Sequence, residues 1–163
     1  MKTLYLPYST EFDDETRTFC IVGRDSHGDD FGVGADATIE GCERAMRDFV
    51  LEVLDVQAMQ GLDHFGDLHA EPPKGDHVVF DPVELMPIRL KLARAKAGLR
   101  QSDMAARLGI TQQAYAKLER PGANPTLRTI YQTERVLGAE LLLVNVGKTE
   151  VKRKAKSRRS VSA

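Results

Sequence analysis

At 163 residues and 42% hydrophobic, the chain has material for one ordinary domain or two small ones, and no stretch reaches the roughly 18 consecutive apolar residues of a membrane span. Its formal net charge of −1 conceals a polarity: residues 1–86 hold 6 Lys and Arg against 19 Asp and Glu, a net −13, whereas residues 87–163 hold 17 against 5, a net +12. Two modules with different partners are implied, because a basic surface is drawn to nucleic acid and an acidic one is repelled by it.

The amino terminus, MKTLYLPYSTEFDD, carries acid where a secretory signal requires a long hydrophobic stretch, so a cytoplasmic protein is expected. Lys2 to Tyr8 alternates with Leu4, Leu6 and Tyr8 on one face, and Arg17 to Arg24 alternates around Phe19 and Ile21. This pattern predicts a β-hairpin joined by the polar connector STEFDDET. DSHGDD forms a second turn into a short strand at Phe31 to Gly34, completing a meander.

From Thr38 the period changes from 2 to 3.6, with Cys42, Ala45, Met46, Phe49, Val50 and Val53 on one face. One long amphipathic helix is expected over the meander, capped by Thr38, with Glu40 and Glu43 at its positive end and Gly61 at its close. Gly61 to Asp76 reads as a loop and HVVF, His77 to Phe80, as a fourth strand. A boundary near Asp81-Pro82 precedes a helical run through Pro87 to Ala97. The two cysteines, Cys20 and Cys42, form no CxxC pair and are expected as reduced thiols filling partly buried structure.

Leu99 to Leu127 has the spacing of a helix-turn-helix. Met104, Ala105 and Leu108 give a first helix its apolar face, with the small Ala105 where a second helix must approach, and Gly109 closes it in the left-handed conformation. Ile110 is expected to be buried in the turn, and Thr111 to cap the second helix. On that helix Ala114, Tyr115 and Leu118 cluster on one side, while Gln112, Gln113, Ala116 and Lys117 occupy the other, the face available to DNA. Glutamine presents donor and acceptor together, as bidentate reading of adenine N6 and N7 in the major groove requires. Lys117 reaches a guanine edge or a phosphate, Gln101 is placed for a phosphate, and Arg100 adds backbone affinity.

At the carboxyl end, ELLLVNV, Glu140 to Val146, reads as a short strand after a helix that Gly138 terminates. The last sixteen residues, KTEVKRKAKSRRSVSA, hold 7 basic residues against 1 acidic and little to bury, so a disordered tail is expected. The fold class is therefore α+β: a small antiparallel sheet with one long helix in residues 1–80, an all-α helix-turn-helix domain ending in a short strand in residues 81–147, and a basic tail in residues 148–163.

Leu99 to Leu141 resembles the Cro and repressor family of helix-turn-helix domains, and TQQAYAKLE, Thr111 to Glu119, is similar to recognition helices of some lambdoid phage repressors. In that family the residues matching Gln101, Gln112, Gln113 and Lys117 contact operator DNA. The whole layout resembles the HicB antitoxins, through GADATIEGCERAMRDFVLEVLD, GDHVVFDPVEL and VLGAELLLVNV. Where that family often has a DLPGC-like turn, this chain reads DSHGDDF, keeping only Asp25 and Gly28, and the basic tail is an addition. The resemblance implies a reduced ribonuclease-H-like amino-terminal fold that caps a small, basic, RNA-cleaving HicA-type toxin. It further implies a non-enzymatic antitoxin that represses its own operon; a homodimer is expected because helix-turn-helix proteins generally bind as two-fold dimers, with a tetramer left open, and no cofactor is expected. A −13 module suits a basic partner independently of the resemblance.

Three other readings compete. Asp13-Asp14, Asp29-Asp30 and Asp36 would have to converge from rigid elements to hold Mg2+ in a nuclease, yet they fall largely in polar connectors. His27, His64, His69 and His77 with Cys20 and Cys42 lack metal-ligand spacing, so no metal site is expected. A stand-alone transcriptional regulator, with residues 1–80 as a sensor or dimerisation module, predicts the same DNA contacts as the antitoxin.

Overall fold

The computed structural model describes residues 3–139 and Leu141; the expected strand Glu140 to Val146, apart from Leu141, and the basic tail lie outside the described residues. Strands β1 (Leu4–Asp13), β2 (Thr18–Arg24), β3 (Asp30–Asp36) and β4 (His77–Phe80) form one antiparallel sheet in the order β3-β2-β1-β4. β1 runs further than the alternation indicated, since part of the expected connector, Ser9 to Asp13, pairs with β2 as far as Asp13 opposite Thr18. Those residues are exposed, and beyond the backbone ladder their one apolar cross-strand contact is Phe12 against Phe19, ring centroids 4.7 Å apart, so no apolar alternation marks them. The turn is tightened by Asp13, whose Oδ1 accepts from the amides of Glu15 and Thr16 at 2.9 and 3.3 Å. The second turn is built by the two residues DSHGDDF retains: Asp25 Oδ1 accepts from His27 and Asp29 amides at 2.8 and 2.9 Å, and Gly28 takes φ 90°.

Helix α1 (Ile39–Met59) lies across one face of the sheet, with Thr38 Oγ1 accepting from the Gly41 amide at 3.1 Å. Glycines permit this close approach, for a Cβ at Gly34 would stand 2.0 Å from the Cys42 carbonyl oxygen. The buried stripe is Cys42, Met46, Val50, Leu54 and Ala58, while Ala45 and Phe49 point outward and Val53 is half-buried, contrary to the face expected from the sequence. A step of four residues overshoots one helical turn by about 40°, so the stripe winds around α1 and follows the twisted sheet and then the next helix.

Helix α2 (Pro82–Lys96), capped by Asp81 Oδ1 on the Val83 amide at 2.6 Å, spans two cores. Leu85, Ile88 and Leu92 join the sheet and α1, whereas Met86 and Leu90 pack with Ile130 and Leu141. The nearly buried Lys91 pairs with Asp55 of α1, and Arg47 stands 3.7 Å from Glu84. Helices α3 (Gln101–Leu108), α4 (Gln112–Leu118) and α5 (Leu127–Leu137) complete the second module, with Met104, Ala105 and Tyr115 at its centre.

Substituting Gly34 by Ala should push β3 away from the α1 backbone and cost about 1–3 kcal/mol, an overpacking cost with no flexible side chain to yield. Urea unfolding of the full chain should show a lower midpoint; an unchanged midpoint would mean that α1 does not rest on Gly34.

Candidate nucleic-acid interface

The turn between α3 and α4 is closed as its sequence indicates. Gly109 adopts φ 68°, and the Ile110 amide donates to the Ala105 carbonyl at 3.0 Å, satisfying an orphan acceptor at the end of α3. Thr111 Oγ1 accepts from the Ala114 amide at 3.1 Å and so starts α4. Ile110 itself is 39% exposed, not buried as expected. Tyr115, fully buried with Met104 and Ala105 and flanked by Leu108, Leu118, Val136 and Leu137, fills the space between the helices without it.

The division of α4 is close to the expected one but rotated. Gln112, Gln113 and Lys117 are exposed, as is Thr111, while Ala116 is half-buried. Ala114, expected on the packed side, is exposed beside Gln113. The reason lies at the end of the helix, where Tyr115, Leu118 and Glu119, at i, i+3 and i+4, form the inward side. Arg100, with 89% of its side chain exposed, projects from the start of α3, where its amide donates to Asp103 Oδ2 at 2.9 Å.

Glu119 was not singled out from the sequence, and it is the polar centre of the module. It is 2% exposed, and its two carboxylate oxygens accept from Arg94 Nε and Nη2 at 2.6 and 2.9 Å, a bidentate pair across α2 and the end of α4. Arg94 Nη1 also donates to the Leu99 carbonyl at 2.9 Å, tying in the turn before α3, and Gln101 Nε2 donates to Glu119 Oε2 at 2.8 Å. One carboxylate thus joins α2, α3 and α4. Hydrogen bonding to Glu119, against the opposing effect of burial, holds the Arg94 guanidinium above its ordinary pKa, and burial with the neighbouring carboxylate pushes the Tyr115 phenol up. The signal in the sequence was slight: Glu119 is the lone acid between Asp103 and Glu134 in a basic stretch.

Gln101, half-buried at the first turn of α3, is therefore held from inside by its hydrogen bond to Glu119. Of the carboxylates considered for a nuclease, Asp13 serves its turn, Asp36 Oδ1 accepts from the Thr38 amide at 3.0 Å, and Asp30 stands 3.9 Å from Arg24. Histidines hold the long loop, with His64 Nδ1 2.6 Å from Asp67 and His69 Nε2 3.2 Å from the Asp25 carbonyl oxygen. Among the described residues no three His, Cys, Asp or Glu side chains gather as a metal site would require, and no helix is long and apolar enough to cross a membrane.

This arrangement, two short helices around a glycine turn with a polar exposed face on the second, defines a helix-turn-helix unit. Residues 90–144 match the family model described as Helix-turn-helix. The chain is 34% identical over 56 residues to an uncharacterized HTH-type transcriptional regulator of Archaeoglobus fulgidus, covering 34% of this chain and 80% of that protein. It is 44% identical over 50 residues to the SPbeta prophage-derived uncharacterized HTH-type transcriptional regulator YonR of Bacillus subtilis, covering 31% of this chain and less than half, 46%, of that protein. The chain belongs to this helix-turn-helix family of transcriptional regulators.

Replacing Arg94 by Met strands Glu119 as an uncompensated buried charge, and the fold should lose about 3–5 kcal/mol. The double variant Arg94→Met/Glu119→Leu should recover much of it. Urea midpoints of the wild type and both variants check this; equal losses in the single and double variants would show that the charge pair is not the cause.

Proposed function

We propose that the protein is a dimeric operator-binding repressor that reads DNA with Gln112 and Gln113 and whose residues 1–80 neutralise a small, basic, RNA-cleaving toxin of the HicA type. The observation that carries the DNA half is the exposure of Gln112, Gln113 and Lys117 on a helix fixed from behind by buried Tyr115 and Glu119. Gln112 and Gln113 are assigned to base edges, Lys117 to a guanine edge or a phosphate, and Arg100 and Gln101 to phosphates; Thr111 and Ala116 flank the contact surface. A two-fold dimer carries two such helices about 34 Å apart to a palindromic operator.

The toxin half is supported by the −13 charge of residues 1–86 and by a meander-plus-helix layout resembling HicB antitoxins. The stand-alone regulator, with residues 1–80 as a sensor or dimerisation module, is favoured by the family match, which covers only the second module. The neighbouring reading frame separates them, since only the antitoxin requires a companion gene for a small basic protein.

Gln112→Ala or Gln113→Ala should weaken operator binding by about 1–3 kcal/mol with little change on random DNA. Equal loss on both DNAs in a fluorescence anisotropy titration would remove these residues from base reading. The basic tail is proposed as a nonspecific DNA-holding arm; deleting residues 148–163 should lower affinity at low salt and flatten its salt dependence, and unchanged affinity would remove that role.

A further inference from the structure

Between α1 and α2, beside the loop that follows α4, lies a groove of about 740 Å³. Its floor is apolar, formed by Leu51, Val83, Ile88 and Pro121. Val83 is 49% exposed, so an apolar side chain at the first turn of α2 stands with no partner over it. The rim is acidic: Asp55 and Glu84 face Lys91 and Arg47, but Asp48, Glu52 and Asp81 have no cation within ion-pair distance among the described residues. Glu84 Oε2 is buried without a hydrogen bond.

We propose that this groove seats a basic segment of the partner protein, an apolar side chain lying on the floor and flanking Lys or Arg side chains on the rim. The inference rests on the reading that the acidic first module captures a basic protein, and extends that contact surface from α1 to the start of α2 and the loop after α4. Three features select that occupant. The negative rim repels nucleic acid, and the apolar floor gives a bare cation or polyamine nothing to pack against, whereas Lys and Arg lay aliphatic stems on apolar surface while their charges meet carboxylates. The chain's own tail carries the charge, but its apolar side chains are only Val151, Ala155, Val161 and Ala163, small for a groove of about 740 Å³. A partner so seated lies against Pro121, Gly122 and Ala123, directly after the helix assigned to DNA.

The test titrates full-length protein with the small basic product of the neighbouring reading frame, followed calorimetrically. The variants are Glu52→Lys on the rim, Val83→Glu on the floor and, as a control, Asp14→Lys in the exposed β1–β2 turn. The two groove variants should each weaken the complex roughly tenfold or more, the control should change it less than about twofold, and all three should bind DNA as the wild type does. If the partner binds and the groove variants bind it equally well, the groove is overturned and toxin capture stands. If Glu52→Lys and Asp14→Lys weaken it alike while Val83→Glu does not, attraction is by overall charge and the groove is again overturned. If wild type shows no binding, or the neighbouring frame encodes no basic protein, capture and groove fall together. If deleting residues 148–163 abolishes the effect of both groove variants on partner binding, the groove belongs to the chain's own tail and the assignment is overturned.

Discussion

The packing of α2 against both sides is the constraint on which the rest depends. In fifteen residues it sends Leu85, Ile88 and Leu92 into the sheet core and Met86 and Leu90 into the helical core, so neither core is complete without it. Its polar residues act in the same two directions, Lys91 toward Asp55 of α1 and Arg94 toward Glu119 after α4. Two modules of opposite charge are thereby joined through a helix rather than a linker. Most of the attraction between a −13 and a +12 module is screened at physiological ionic strength, so their geometry follows from apolar packing on both sides of α2 and the part-buried ion pairs Lys91–Asp55 and Arg94–Glu119.

That junction also accounts for what the sequence left hidden. The strands, the long helix and its Thr38 cap, the fourth strand and the Gly109 turn were all legible because each is written locally, in a period, a capping residue or a glycine. The double role of α2 was not. A helix buried on two sides has no single apolar face, and Asp81-Pro82 is where that helix starts. The same applies to α1, where Phe49 fitted the helical period but faces outward because the stripe winds toward α2. Ile110 misled in the opposite way, since an apolar residue in a tight turn is easily assigned to the core when a residue five positions on, Tyr115, already fills it.

In the candidate interface, the exposed set Gln112, Gln113 and Lys117 was readable because polar residues at helical spacing opposite Tyr115 and Leu118 have few other places to go. Glu119 was not readable, because a single acid just beyond a helix resembles a solvated surface residue. Only the three-dimensional meeting of Arg94, Gln101 and Glu119, from positions 7 to 25 residues apart, shows otherwise.

The buried charge also answers a problem of size. A seven-residue helix is too short to persist on its own, since nucleating a turn fixes several residues for the first hydrogen bond. α4 is held at its start by the Thr111 cap, in its middle by the fully buried Tyr115, and just past its end by Glu119 gripped from two other helices. An apolar anchor at that last position would resist sliding poorly, because apolar contact is nearly indifferent to direction. A bidentate guanidinium–carboxylate pair fixes distance and angle together. Reading base edges requires side chains fixed in register with the groove, and directional bonding behind a short helix supplies that register at Gln112 and Gln113.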